Sequence, residues 1–252
     1  MNGEPQDNAS LPRRRAPVAA RLAAVLAAAF AFAGCGLLRQ LHDAEISSTP
    51  LVRVAPADGV WDEEYGETDD PANCSFEFRV VRLRSGVRVL ATVFDDRVVA
   101  DDCAPGSVSC PSWDDDTFQC FFDGDNDRSS DARAGDGLKY GGEFTLVANG
   151  AAQSDFSSRP RGFGESWRGT VAVSQRPEGG FRLDYDLWFS WACIGRRRAP
   201  KDGEDVEFGF NACVHDDDDG GRADRALYWK GSPKRPYRDE SRFGQVVLEG
   251  VR

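Results

Sequence analysis

Two acidic clusters hold the densest concentration of ligand atoms in the sequence. Asp123, Asp125 and Asp127 alternate along one segment, and Asp216, Asp217, Asp218 and Asp219 follow one another in a second. Carboxylate oxygens crowded in this way suit a hard divalent cation, for which calcium is the natural choice. The first cluster is not an EF-hand loop. With Asp123 at position one, Arg128 stands where the turn needs glycine and Ala134 where a bidentate Glu is needed. A solvated acidic turn is the competing reading of both clusters, and Asp69-Asp70 and Asp101-Asp102 read as surface charge.

Catalytic constellations are missing. The sequence has no G-x-S-x-G elbow, no H-E-x-x-H pair and no phosphate-cradling glycine loop. Its two histidines are His42 and His215, too few for most imidazole chemistry. Paired carboxylates can hydrolyse a glycosidic bond. With 42 acidic residues, however, any chosen pair is uninformative. The chain therefore reads as a binding protein and not an enzyme.

The third reactive group is sulfur. Beyond Cys35 lie Cys74, Cys103, Cys110, Cys120, Cys193 and Cys213, an even number with no C-x-x-C and no histidine at zinc-ligand spacing. Disulfides are the default, with connectivity open among about 15 pairings. Cys103 with Cys110 closes a short loop. Cys193 and Cys213 both fall on predicted strands and could bridge them.

The elements that must position these groups are strands. Phe181, Leu183, Tyr185, Leu187 and Phe189 alternate with Arg182, Asp184, Asp186, Trp188 and Ser190, the period-two signature of a half-buried strand. Val87 to Val93, Phe118 to Phe122 and Val206 to Val214 repeat it, and further strands are expected at 76–83, 143–148, 167–174 and 244–249. With 26 Gly, 13 Pro and 11% aromatics, the pattern predicts an all-β fold, an antiparallel β-sandwich of the immunoglobulin or jelly-roll kind. No internal repeat interrupts it, so one domain is expected over 51–252.

Ahead of that domain, Arg13, Arg14, Arg15 and Arg21 precede the apolar run Leu22 to Ala33. This reads as a signal peptide over 1–34. As a helix, the 12-residue run would span about 18 Å, short of a ~30 Å hydrocarbon core. Its ending, Phe32-Ala33-Gly34-Cys35, resembles a bacterial lipobox, which implies lipidation of Cys35, with Phe32 in place of the usual Leu. Cleavage near Ala31 or Ala33, leaving a free secreted protein, is the alternative. Residues 35–50 then form a tether, and the chain is expected in the bacterial cell envelope, meeting membrane through its lipid anchor only. A net charge of -11 sets the protein against nucleic acid and anionic lipid.

Several segments, in order, resemble carbohydrate-binding module family 9, the sugar-binding β-sandwich often attached to xylanases. They are Ala57-Asp58-Gly59 with Trp61, the strand Val87 to Asp96, Trp113 to Gln119 running into Phe122-Asp123-Gly124-Asp125, Phe208 to Asn211 running through His215 to Leu227-Tyr228-Trp229, and Arg242 to Leu248. The resemblance implies a non-catalytic module that holds the sugar at a glycan end between two tryptophans, here Trp113 and Trp229. Gln119 stands where the family commonly has a Glu that bonds hydroxyls. Structural calcium is implied as well, with its ligands left open. The implied partners are glucan or xylan ends and a glycoside hydrolase. Asn211 is supported only as a strand residue, while Trp61, Trp167, Trp188 and Trp191 read as packing residues. The competing reading is a structural or interaction domain of the envelope that has lost the sugar cleft.

Overall fold

The computed structural model describes residues 43–65, 74–108, 110, 113–128, 141–155, 162–234, 236–237 and 239–251. Residues 1–42, on which the expected signal peptide, Cys35 and the first part of the expected tether fall, lie outside them.

Thirteen strands are described: β1 (Ser47–Ser48), β2 (Val52–Val54), β3 (Val60–Trp61), β4 (Ser75–Arg82), β5 (Gly86–Asp95), β6 (Thr117–Asp123), β7 (Gly142–Val147), β8 (Ala152–Asp155), β9 (Trp167–Gln175), β10 (Phe181–Ser190), β11 (Val206–Asp216), β12 (Arg225–Tyr228) and β13 (Gly244–Leu248). They form two antiparallel sheets. One runs β1-β4-β5-β10-β9, with β2 also on β4; the other runs β3-β12-β11-β6-β7-β8, with β13 also on β11. The expected sandwich is therefore present, and each strand expected from alternation is found within a few residues of its predicted limits.

Alternation explains the interior. Leu183, Tyr185, Leu187 and Phe189 are buried while the residues between them are not. They meet Phe118, Cys120 and Phe122 of β6 and Phe208, Phe210 and Ala212 of β11. Phe122 lies at the centre, its ring centroid 4.9 Å from Phe189 and 5.1 Å from Phe210 in tilted and edge-on contacts. Trp167 and Trp191 are buried in the same cluster, and Trp61 packs against it.

One feature does not follow from a simple sandwich: all seven residues of β6 are buried. On its outward face Phe121 joins a second cluster with Cys213, Ala226, Tyr228 and Phe243, flanked by Val60, Tyr65 and Tyr237. This covered outer face is where the candidate site forms.

Cys103 and Cys110 form the expected disulfide, with Cα atoms 6.0 Å apart. Cys74, Cys120, Cys193 and Cys213 are free and buried, so the expectation of a wholly oxidised set is corrected. Cys193 and Cys213 do not bridge because they face different interiors. Cys193 sits in the sandwich core with Sγ 3.2 Å from the Ser166 carbonyl. Cys213 lies one residue out of phase with inward-facing Ala212 and meets Gln119 on the outer face.

Candidate ligand cleft on the outer sheet face

Strand register builds the floor of the site. Tyr228 of β12 pairs with Cys213 of β11, Cys213 with Gln119 of β6, and Gln119 with Thr145 of β7. Residues paired across antiparallel strands share a face, so these four form one row pointing away from the sandwich core. Gln119 Nε2 donates to Thr145 Oγ1 at 2.8 Å and to Glu143 Oε1 at 3.3 Å. Its Oε1 accepts from the Cys213 thiol at 3.2 Å and faces His215 Nε2 at 3.1 Å. Every polar atom of this buried amide is thereby engaged.

Above the row lies a cleft of about 340 Å³. Its aromatic lining is Tyr65, Trp113, Tyr228 and Tyr237, and Asp62, Glu64, Glu143, His215 and Arg222 complete it. Tyr65 ends the short 3-10 turn Glu63–Tyr65 and stands edge-on to His215, with centroids 5.2 Å apart. The Arg222 guanidinium lies 4.9 Å from the Tyr65 ring centroid. Trp113 precedes β6 in a turn and is 39% exposed, presenting indole surface to solvent. Burial pushes the His215 imidazole down to about 4, so it is neutral at physiological pH.

Trp113 and Gln119 thus line one cleft, but Trp229 does not share it. Along β12 and beyond, Leu227 faces the core, Tyr228 the cleft, and Trp229 the core again. Its indole contacts Phe78 at 5.1 Å and Phe210 at 6.4 Å between centroids, and a side-chain carbon placed on Gly244 would fall 2.1 Å from it. Tyr228, and not Trp229, faces the cleft that Trp113 lines. Period-two alternation from Leu227 carries that signal. Tyr65, Asp62 and Arg222 come from connections whose approach no local pattern announces. Asn211 is structural, bonding the Lys230 backbone through both amide atoms at the point where β11 changes partner from β13 to β12.

The acidic residues gather at the strand ends. Asp95, Asp116 and Asp216, all buried, bring carboxylate oxygens within 4.8 Å of one another. Asp116 accepts from the backbone of Val99 and Asp217, and Asp216 pairs with Arg225 Nε at 3.4 Å, yet neither Asp216 oxygen accepts a hydrogen bond among the described residues. Burial and mutual repulsion raise the three carboxyls to about 9, 8 and 7 respectively. Consecutive positions diverge: Asp217 joins Asp101 and Asp115, or Asp219 and Asp224, while Asp218 joins Asp95 and Asp96. In the other cluster Asp123 and Asp127 combine with Glu240, and Asp125 lies outside the group, its carboxyl hydrogen-bonding Asp123 instead. Desolvation, then that bond, raises Asp123 to about 6.

Residues 55–251 match the family described as carbohydrate family 9 binding domain-like. Among solved structures, a carbohydrate binding module family 9 from Caldicellulosiruptor kristjanssonii in complex with cellotriose aligns at 17% identity and a TM-score of 0.50, covering 77% of this chain and 83% of that one. Such a module from the same organism in complex with glucose aligns at 16% identity and a TM-score of 0.52, covering 80% and 86%. At this identity the likeness speaks for the fold. No curated protein gives a match.

Proposed function

Because this chain belongs to the carbohydrate family 9 binding domain-like family, we propose that its outer-face cleft holds the terminal sugar of a glycan without cutting it. The observation that carries this reading is the cleft itself, in which aromatic rings at Trp113, Tyr65 and Tyr228 converge with the polar groups of Asp62, Glu143 and Arg222. A pyranose presents apolar C–H faces and a rim of hydroxyls, and such a lining can cover the former and bond the latter. Gln119 acts from below, holding Glu143 and His215 in place. The cellotriose and glucose bound by the two solved relatives support the same ligand class.

Calcium belongs to this reading. The oxygens of Asp216, which accept no hydrogen bond among the described residues, and the Oδ2 atoms of Asp115 and Asp217 are what a bound divalent cation would satisfy. Asp95, Asp116 and Asp216 would hold one ion and Asp123, Asp127 and Glu240 another. The positive charge would offset the clustered carboxylates and tie the ends of β5, β6 and β11 together. The reading also includes export and attachment through a lipid on Cys35. The Cys103–Cys110 disulfide supports an oxidising compartment.

Calorimetric titration of the calcium-loaded protein with glucose, cellobiose and xylobiose tests the binding reading. Saturable heat is expected, with dissociation constants of roughly 10 µM to 1 mM. Silence with all three sugars returns the protein to a structural role in the envelope. Incorporation of radiolabelled palmitate that disappears in Cys35→Ala tests the anchor.

A further inference from the structure

The charge around the cleft is lopsided. Among the described residues, Asp62, Glu64 and Glu143 contribute three carboxylates to the lining against the single guanidinium of Arg222. That guanidinium is already engaged, 3.9 Å from Glu64 Oε1 and stacked on Tyr65. The charge of the described lining is thus negative within a chain of net charge -11.

Asp62 sharpens the point. It is 2% exposed, its Oδ1 accepts from the Glu64 amide at 3.0 Å, and its Oδ2 accepts from nothing among the described residues. A buried carboxylate oxygen without a donor is costly, and a ligand donor there recovers the loss. A neutral hydroxyl would satisfy the oxygen but leave the excess negative charge in place as the sugar ring displaced water. An ammonium does both, and the electron-rich faces of the surrounding aromatic rings attract it further.

Resting on the glycan-end reading of this cleft, we propose that its preferred ligand is an amino sugar, a glycan-end hexosamine whose free ammonium pairs with Asp62 beside the aromatic rings. The N-acetylated sugar lacks the charge, and a uronic acid carries the wrong one.

The test is calorimetry on the full calcium-loaded chain near pH 6.5, where the sugar amine is protonated. The probes are the β-1,4 disaccharide of glucosamine, its di-N-acetylated form, cellobiose and cyclohexylamine. The glucosamine disaccharide is expected to bind at least about tenfold tighter than cellobiose or the acetylated form. Asp62→Asn should bring that ratio close to one. Glu64→Gln, at an exposed position, should lower the ratio in part, and serves if Asp62→Asn fails to fold. Cellobiose binding as tightly as the glucosamine disaccharide overturns the amine preference and leaves the glycan-end reading standing. Cyclohexylamine binding as tightly as the glucosamine disaccharide overturns the sugar component. A ratio unchanged in both variants overturns the role of these carboxylates, and silence with every sugar removes the glycan-end reading itself.

Discussion

Gln119 Oε1 lies 3.1 Å from His215 Nε2, and the amide orientation makes the imidazole the donor. Because the opposite side of the amide donates to Thr145 Oγ1 and Glu143 Oε1, its oxygen must face the histidine. A neutral imidazole that donates through Nε2 keeps Nδ1 as an acceptor. The floor of the cleft is therefore one chain of directed hydrogen bonds running from β11 through β6 to β7.

That chain predicts the effect of restoring the acid that the family resemblance leads one to expect. In Gln119→Glu a carboxylate would face the imidazole, and an opposite charge in hydrogen-bond contact favours the protonated ring. The His215 pKa should rise from about 4 by more than about one unit, read from the imidazole proton shifts in a pH titration. An unmoved pKa would mean that the two side chains are not bonded in solution.

The two tryptophans separate binding from stability. Trp113→Ala removes a half-exposed indole from the cleft wall and should abolish sugar binding while changing stability by less than about 0.5 kcal/mol. Trp229→Ala empties a site packed by Phe78 and Phe210 and should cost about 3 kcal/mol in chemical denaturation. Equal loss of binding in both, at equal stability, would restore a two-tryptophan site.

The same contrast shows what the sequence made legible. The strands were readable because inward side chains repeat with period two, and Trp113 and Gln119 were readable as parts of a motif. Tyr228 could have been placed by extending the alternation from Leu227 past the motif. Asp62, Tyr65 and Arg222 could not, because they reach the cleft through chain connections and the register between β12 and β3, which long-range packing decides. The acidic groups were half legible for a related reason. Asp216, Asp217 and Asp218 are adjacent in sequence, but strand geometry turns them into different groups with Asp95, Asp101 and Asp115.

Chelation should expose the buried carboxyls to titration. In the metal-free protein Asp95, Asp116 and Asp216 have folded pKa values of about 9, 8 and 7 against 3.8 unfolded. Between about pH 4 and 9 the folded state holds protons that the unfolded state has released, so stability falls as pH rises. His215, lowered from 6.5 to about 4, works in the opposite direction, but only below about pH 6.5. Over about pH 6.5 to 8, therefore, the melting temperature of chelated protein should drop, and saturating calcium should remove the drop. Asp116→Asn should flatten the slope. A chelated protein whose melting temperature is level across this interval would speak against the buried cluster.

Arg82 gives the last prediction. It is 1% exposed, and its guanidinium donates to the carbonyls of Lys201, Glu204, Leu248 and Glu249, with no carboxylate partner among the described residues. One buried cation thereby fastens β4 in one sheet to the end of β13 and to the 201–205 loop that leads into β11 in the other. Backbone carbonyls can hold a charge in this way because several dipoles converge on it. Arg82→Ala should strand those carbonyls and open a cavity, costing about 3 kcal/mol or more. Arg82→Lys should recover only part of the loss, since a single ammonium lacks the planar fork that reaches carbonyls on separate segments. Hydrogen exchange at the amides of residues 246–251 should quicken in both variants, more in Arg82→Ala. Exchange unchanged at these amides, even with lower global stability, would show that the guanidinium does not fasten the C-terminal strand.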